Sequence, residues 1–244
     1  MKRVQTNVFL KIPNTWTAEI MGEAGFDYIT IDMQHGLIDF QSMLMMLQSL
    51  RHSPSSILVR SPWNDPSVLM HILDAGASGI ICPMINSKEE ALSFVNACLY
   101  PPDGYRSFGP IRAKLTGTFK TLEQSNKEVL TFAMIETEEA IKNLQAIAST
   151  ENLRGLYVGP SDLSISLGLQ GVADFTDPSL IAVLKEIVQT AQKYHLITAT
   201  QVYDINHAKI AQDLGFDIVT PFDDSALLEN SVKEKMQALK KVVS

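Results

Sequence analysis

The chain has 244 residues, 45% of them hydrophobic and 19% charged, with a formal net charge of −7 at neutral pH. That length and apolar content suffice for one large packed core, and the acidic balance argues against a nucleic-acid partner, whose phosphates need a basic face. No uncharged apolar run is long enough to span a bilayer, the N-terminal residues lack the apolar segment of a secretory signal, and Cys82 and Cys98 stand in apolar surroundings suited to buried thiols, so a cytoplasmic protein without a membrane partner is expected.

Short apolar runs alternate with longer amphipathic ones, the pattern of βαβ units around a parallel sheet. Strands are predicted at 8–12, 28–32, 57–60, 79–82, 131–135, 156–158, 197–200 and 218–220. Helices are predicted at 16–24, 41–51, 66–75, 88–99, 138–149, 178–194, 205–214 and 225–242. Eight alternating pairs in a chain of this size fit a (β/α)8 TIM barrel, an α/β fold, as a single domain over residues 1–244. Gly25, Gly76 and Gly215 each follow a helix and precede a strand, where a left-handed residue ends the helix. The segment 100–127 fits neither period. Lying after the fourth strand, it is expected to hang over the barrel mouth as a lid or to carry subunit contacts.

Side chains at the carboxyl ends of barrel strands converge on one mouth, so the strand ends are where chemistry is sought. Lys11 ends the first. It could form a Schiff base if desolvated, although a snorkelling or substrate-contacting lysine is the commoner case. After the second strand, Ile31-Asp32-Met33-Gln34-His35-Gly36 sets an acid and an imidazole three residues apart, and histidine is the usual general acid or base near neutral pH. Arg60 ends the third. It can form an ion pair with Asp32 or Glu136, stabilise a developing oxyanion, or do both. Asp74, near the end of the third helix, reads by periodicity as an ordinary helix-end polar residue. Glu136 and Asp162 follow successive apolar strands, Thr131-Phe132-Ala133-Met134-Ile135 and Gly155-Leu156-Tyr157-Val158. Two carboxylates at one mouth repel unless something neutralises them, and a hard divalent cation completed by waters and substrate is the usual solution. A metal-dependent enzyme is therefore the first reading.

The run Ala24-Gly25-Phe26-Asp27, the His35 loop, Val59-Arg60-Ser61-Pro62-Trp63-Asn64-Asp65-Pro66, Tyr100-Pro101-Pro102-Asp103-Gly104-Tyr105-Arg106, Ile135-Glu136-Thr137 and Val158-Gly159-Pro160-Ser161-Asp162-Leu163-Ser164 together resemble the HpcH/HpaI aldolase family, in family order and over nearly the whole chain. The resemblance implies a class II pyruvate aldolase dependent on a divalent metal cation (Mg2+, Mn2+ or Co2+), on a modified (β/α)8 barrel whose last helix is swapped between subunits. It implies that Glu136 and Asp162 bind the metal and that backbone amides near Ser161 and Asp162 hold the pyruvate carboxylate. It further implies that Arg60 stabilises the enolate oxygen, His35 takes the acid–base role and Asp74 supports that histidine. The chain departs from the family at Gln34, where an acid is often found, and at Met134, where a glutamine is. Both are candidate substrate contacts, and both changes remove polar groups from the mouth. Pro221-Phe222-Asp223-Asp224 stands where many relatives carry a small Gly-containing loop.

The expected reaction is reversible cleavage of a 4-hydroxy-2-oxo acid to pyruvate and an aldehyde through a pyruvate enolate. Oxaloacetate decarboxylation and a citrate-lyase-like acyl-CoA lyase reaction are alternatives within the same superfamily, the latter disfavoured because no basic nucleotide-binding extension is evident. A non-catalytic metabolite-binding barrel is the alternative of another class, and the joint presence of His35, Arg60, Glu136 and Asp162 weighs against it. Leu227, Leu228, Val232, Met236, Leu239 and Val242 recur at spacings of three or four and need a partner surface, which the stripe alone does not identify. The resemblance implies a homo-oligomer, with a hexamer assembled as a trimer of dimers.

Overall fold

Eight parallel strands close on themselves in chain order: β1 (Gln5–Leu10), β2 (Tyr28–Asp32), β3 (Ser56–Arg60), β4 (Gly79–Cys82), β5 (Leu130–Ile135), β6 (Gly155–Val158), β7 (Ile197–Gln201) and β8 (Ile218–Asp223), with β8 pairing back onto β1. This computed structural model describes residues 3–169 and 173–243. Strand alternation sends Phe9, Leu58, Ile81, Phe132, Met134, Tyr157, Ala199 and Ile218 into the barrel interior. Their neighbours, among them Val8, Leu10, Ile29, Ile31, Val59 and Ile80, pack outward against the helices. The same period decides the mouth. Two residues beyond Phe9, Leu58, Met134 and Ala199 come Lys11, Arg60, Glu136 and Gln201.

The helices are α1 (Thr15–Glu23), α2 (Phe40–Ser49), α3 (Pro66–Asp74), α4 (Lys88–Cys98), α5 (Ile111–Thr116), α6 (Leu122–Glu128), α7 (Glu138–Lys142), α8 (Leu144–Ala148), α9 (Pro160–Ser166), α10 (Pro178–Lys193), α11 (Ile205–Leu214) and α12 (Asp224–Val243). Side chains of Asp39, Ser87, Thr137 and Asp204 accept N–H groups from the first turns of α2, α4, α7 and α11. Gly25, Gly76 and Gly215 have φ of 88°, 98° and 98°, as their helix-ending positions led one to expect.

Besides the short helix α9, which lies outside every predicted helix, three features differ from the sequence expectation. The segment 100–127 folds into α5 and α6 and lies between α4 and β5. A connection from a helix to the next strand runs at the amino-terminal end of the barrel, so the segment sits opposite the mouth and is not a lid. There it walls a cavity of about 280 Å³ with Ser56, Ser78 and Leu130 from the start of β3, the turn before β4 and the start of β5. The expected helix 138–149 breaks into α7 and α8 at Asn143, whose Nδ2 donates to the Asn86 carbonyl at 2.7 Å. Third, β1 begins at Gln5 and β8 extends to Asp223, with a register shift between Thr6 and Val8. At that shift a buried polar chain replaces apolar packing. Thr30 Oγ1 donates to Asn7 Oδ1 at 3.0 Å, Asn7 Nδ2 donates to Thr220 Oγ1 at 2.9 Å, and the Tyr157 hydroxyl meets Thr220 Oγ1 at 2.7 Å.

From residue 227 to residue 243 every residue of α12 is exposed, including the whole apolar stripe Leu227, Leu228, Val232, Met236, Leu239 and Val242. The helix does not cover its own barrel with that stripe. Both cysteines are free and buried, and burial, the largest cause, pushes the Cys82 thiol up to about 12. Among the described residues no helix is long and apolar enough to cross a membrane.

Candidate active site at the barrel mouth

Asp32 and Arg60 stand opposite each other in register at the ends of β2 and β3. Arg60 donates from Nε to Asp32 Oδ1 at 2.8 Å and from a terminal nitrogen to Oδ2 at 2.6 Å, while its guanidinium lies 4.7 Å from the centre of the Phe9 ring. Of the two partners open to Arg60 in the sequence, the ion pair is with Asp32. Burial alone would raise the Asp32 carboxyl, but the bonds and charge of Arg60 and the N–H groups of His35 and Gln34 outweigh it and hold the group below the usual carboxylate range. Burial likewise disfavours charge on Arg60, and its contact with Asp32 more than restores it. A guanidinium carries five N–H donors, so the terminal nitrogen not bonded to Asp32 remains available at the mouth.

Asp32 also shapes the loop that carries His35. Its Oδ1 accepts the backbone N–H of Gln34 at 3.1 Å and of His35 at 3.2 Å. Gly36 lets this loop lie against the end of β1, since a Cβ there would fall 2.2 Å from the Asp32 carbonyl oxygen and 3.1 Å from Lys11 Cα. The His35 side chain is exposed and makes no hydrogen bond among the described residues. Gln34 is half-buried with its Oε1 shut away from any partner. One carboxylate thus fixes the guanidinium and anchors the backbone of the loop that carries His35.

Across the mouth, Glu136 follows β5 and is 2% exposed. Its Oε1 accepts the backbone N–H of Met84 at 2.7 Å. Met84 holds a left-handed φ of 56°, rare for a residue with a side chain, and that turn aims its N–H at the carboxylate. Gly159 lies over the other oxygen, where a Cβ would fall 2.5 Å from Oε2. Burial, the largest cause, and the nearby charge of Asp162 raise the Glu136 carboxyl above its ordinary range, although the Met84 N–H and the more distant Arg60 pull the other way. Glu136 has no ion pair among the described residues. Asp162 lies in the first turn of α9, exposed, with Ser161 before it.

Two carboxylates converging here, one buried without a counter-ion and cradled by a glycine, fit a hard divalent cation. Among the described residues no cluster of three or more His, Cys, Asp or Glu could hold a metal. Such an ion would therefore take two protein ligands and fill its shell with water or substrate oxygens, as magnesium-type sites do. The first turn of α9 offers N–H groups without intrahelical partners to an anion bound at the same place.

The remaining candidates divide. The Ser161 hydroxyl hydrogen-bonds the Tyr203 hydroxyl. Met134, 1% exposed, lies in the apolar floor beneath Gly159 rather than on the mouth's surface, with its Cε 3.1 Å from where a Gly159 Cβ would sit. Lys11 Nζ donates to Asp223 Oδ2 at 3.0 Å, and its backbone N–H donates to Asp224 Oδ1 at 2.7 Å. Asp74 does not meet His35 within the chain. It ends α3 at the opposite end of the barrel, where its Oδ1 accepts from Arg106 at 2.6 Å. A residue at the end of a barrel helix belongs to the amino-terminal face, so Asp74 and the His35 of its own chain lie at opposite ends of the barrel. The residues that sequence reasoning passed over are Met84 and Tyr203, while Asp223 was noted only as part of an altered loop. Tyr203 and Asp223 stand at the carboxyl ends of β7 and β8, the address that singled out the others; nothing in Pro83-Met84-Ile85 signals the left-handed turn.

A family model described as HpcH/HpaI aldolase/citrate lyase matches residues 5–222. A relative named hydroxypyruvate/pyruvate aldolase, from Rhizorhabdus wittichii strain RW1, is 34% identical over 226 residues, covering 93% of this chain and 90% of its own. A 4-hydroxy-2-oxo-heptane-1,7-dioate aldolase from Salmonella dublin is 36% identical over 172 residues, covering 69% of this chain and 65% of the relative, just under two thirds. A crystal structure of a HpcH/HpaI aldolase/citrate lyase family protein from Burkholderia cenocepacia J2315 superposes with a TM-score of 0.89 at 25% identity, covering 98% of this chain and 95% of that one.

Proposed function

This chain belongs to the HpcH/HpaI aldolase/citrate lyase family and is an aldolase-type lyase, and on that premise we propose that it cleaves 4-hydroxy-2-oxo acids reversibly to pyruvate and an aldehyde at the mouth formed by Arg60, His35, Glu136 and Asp162. The observation that carries this is Glu136, a buried carboxylate beside Asp162 with no ion pair among the described residues, set across the mouth from a guanidinium that keeps free donors. Glu136 and Asp162 would hold a divalent cation, which would supply Lewis-acid polarisation of the 2-oxo group and counter-charge for the enolate.

The chain's own groups complete the reaction. The N–H groups opening α9, near Ser161 and Asp162, receive the substrate carboxylate. His35 takes the proton of the C4 hydroxyl, the C3–C4 bond breaks, and the C4 carbon leaves as an aldehyde. The bonding pair becomes the pyruvate enolate, whose oxygen the free guanidinium donors of Arg60 stabilise, a contribution of about 3–4 kcal/mol for one such donor. Protonation at C3 releases pyruvate. Asp32 acts through Arg60 and through the His35 loop, and its bidentate grip keeps the guanidinium from swinging onto Glu136.

A screen of 4-hydroxy-2-oxo acids coupled to pyruvate detection tests this. Pyruvate is expected, its formation is expected to stop with a strong chelator, and Mg2+, Mn2+ or Co2+ is expected to restore it. Full turnover in metal-free protein, or a borohydride-trapped pyruvate adduct at Lys11, overturns the metal reading. Turnover of oxaloacetate alone points to the decarboxylase instead.

The exposed apolar stripe of α12 supports a homo-oligomer in which this helix packs against a neighbouring barrel, two such subunits forming a dimer and three dimers a hexamer. Light scattering at micromolar concentration checks it, and an active, folded monomer overturns it. The two free, buried thiols accord with a cytoplasmic setting.

A further inference from the structure

Beside the mouth, between the ends of β7 and β8 and the start of α12, lies a cavity of about 210 Å³ walled by Gln201, Tyr203, Phe222, Asp223, Leu227 and Asn230, among others. Tyr203 ties it to the site already described, because its ring walls the cavity while its hydroxyl bonds Ser161, the neighbour of Asp162. On the other side Asp223 holds Lys11, whose carbonyl accepts the Leu37 N–H of the His35 loop at 3.0 Å, so the cavity also borders the part of the mouth where His35 meets the C4 hydroxyl.

The chemistry of the walls is specific. Gln201 ends β7 on the inward-facing register, and its side-chain amide makes no hydrogen bond among the described residues. The amide of Asn230 makes none either. Asp223 supplies carboxylate oxygens that keep acceptor capacity after taking the Lys11 ammonium at 3.0 Å and the Ala226 N–H at 2.8 Å. No lysine or arginine is among the residues that line the cavity, and Lys11, which Asp223 binds, is already neutralised by it. Donors and acceptors are thus present without any free positive charge. A carboxylate brought here would meet Asp223 and no counter-ion, whereas hydroxyl groups, each donor and acceptor at once, match both the amides and the carboxylate. A site that hydrogen-bonds a hydroxyl rejects an analogue lacking it, because its own polar groups are then left without partners.

We propose that this cavity is the acceptor pocket and that it selects neutral, hydroxylated short-chain aldehydes over aldehydes ending in a carboxylate, with Gln201 and Asp223 as the specificity-determining residues. The inference rests on the aldolase reading above. In the synthetic direction the enolate carbon attacks the aldehyde carbon and His35 returns its proton to the new hydroxyl, so the acceptor changes only what fills the pocket.

The test compares kcat/KM for addition of pyruvate to D-glyceraldehyde, propanal and succinic semialdehyde, with exchange of pyruvate methyl protons followed in the same samples. Glyceraldehyde is expected to exceed each of the other two by about tenfold or more. Gln201→Leu is expected to lower the glyceraldehyde-to-propanal ratio by about tenfold. Asp223→Asn, which frees the Lys11 ammonium, is expected to raise the ratio of succinic semialdehyde to glyceraldehyde by a similar factor. Normal proton exchange with a level or inverted ranking of the aldehydes, or ratios unmoved in Gln201→Leu, overturns the acceptor assignment alone. Absence of exchange in the unmodified enzyme overturns the aldolase reading and this inference with it.

Discussion

Two buried arginines clasp aspartates at opposite ends of this barrel, both at 2.6 Å and both under an aromatic ring or over one: Arg60 with Asp32 and Phe9 at the mouth, Arg106 with Asp74 and Tyr100 at the far end. Their side chains are nearly equally hidden, at 6% and 5% exposure. They differ in what surrounds them. Asp32 is fully buried and grips Arg60 through two bonds, and it also holds the loop of His35. Asp74 is 21% exposed and takes one bond from Arg106, whose Nε is left without a partner. An ion pair by itself therefore does not mark a site. The strand-end address does, because only there does the same motif sit beside a second acid that lacks a counter-charge.

The comparison is broken most directly at Asp32. Asp32→Asn leaves the Arg60 charge buried without its counter-ion and is expected to cost about 3–5 kcal/mol of unfolding free energy. The pH dependence has a definite sign. The Asp32 carboxyl is held below its ordinary 3.8, so its contribution is fully present above 3.8 and is lost as pH falls through the lower folded value. Denaturant unfolding should show the gap between the two proteins closing only in that acid range. A gap that closes near neutrality contradicts the assignment.

Arg60→Ala strands the Asp32 charge in the same way, and it should also reduce kcat for carbon–carbon cleavage by about 10²–10³. Exchange of pyruvate methyl protons should slow with it, since both run through the enolate. Near-normal exchange would leave Arg60 as a structural ion pair like Arg106. Gly159→Ala, which sets a methyl group 2.5 Å from Glu136 Oε2, should weaken divalent-metal affinity by about 10–100-fold, measured by titration calorimetry. At the far end, Arg106→Met should lower unfolding free energy by only about 1–2 kcal/mol, because Asp74 can turn to water once released.

The same two ends explain what was legible in the sequence. Strands and most helices follow from apolar period, and Lys11, Arg60, Glu136 and Asp162 follow from counting to the end of each strand. Asp74 lies at the helix end, as its period indicates, and the support of His35 that the family likeness implies is not made within one chain. Counting from the fourth strand puts the segment 100–127 over the mouth or in a subunit contact, but a helix, α4, intervenes and reverses the direction of the chain, so the segment lies at the other end. Gln5 and Asn7 hid the start of β1 because a polar strand interior gives no apolar signal. Met84 was illegible because its turn is imposed by the loop around it and by the carboxylate its N–H serves.

The polar chain Thr30–Asn7–Thr220–Tyr157 sits on the seam where the first strand meets the last, and its central bond joins residues 213 positions apart. During synthesis β1 emerges early and β8 almost at the end, so the seam cannot zip until nearly the whole chain has left the ribosome. Until then the amide of Asn7 and the hydroxyl of Thr30 can remain hydrated, which an aliphatic pair at the same place could not match without exposing a sticky edge. The feature that interrupts an otherwise apolar barrel thus keeps the waiting edge soluble and closes in one register when its partner arrives.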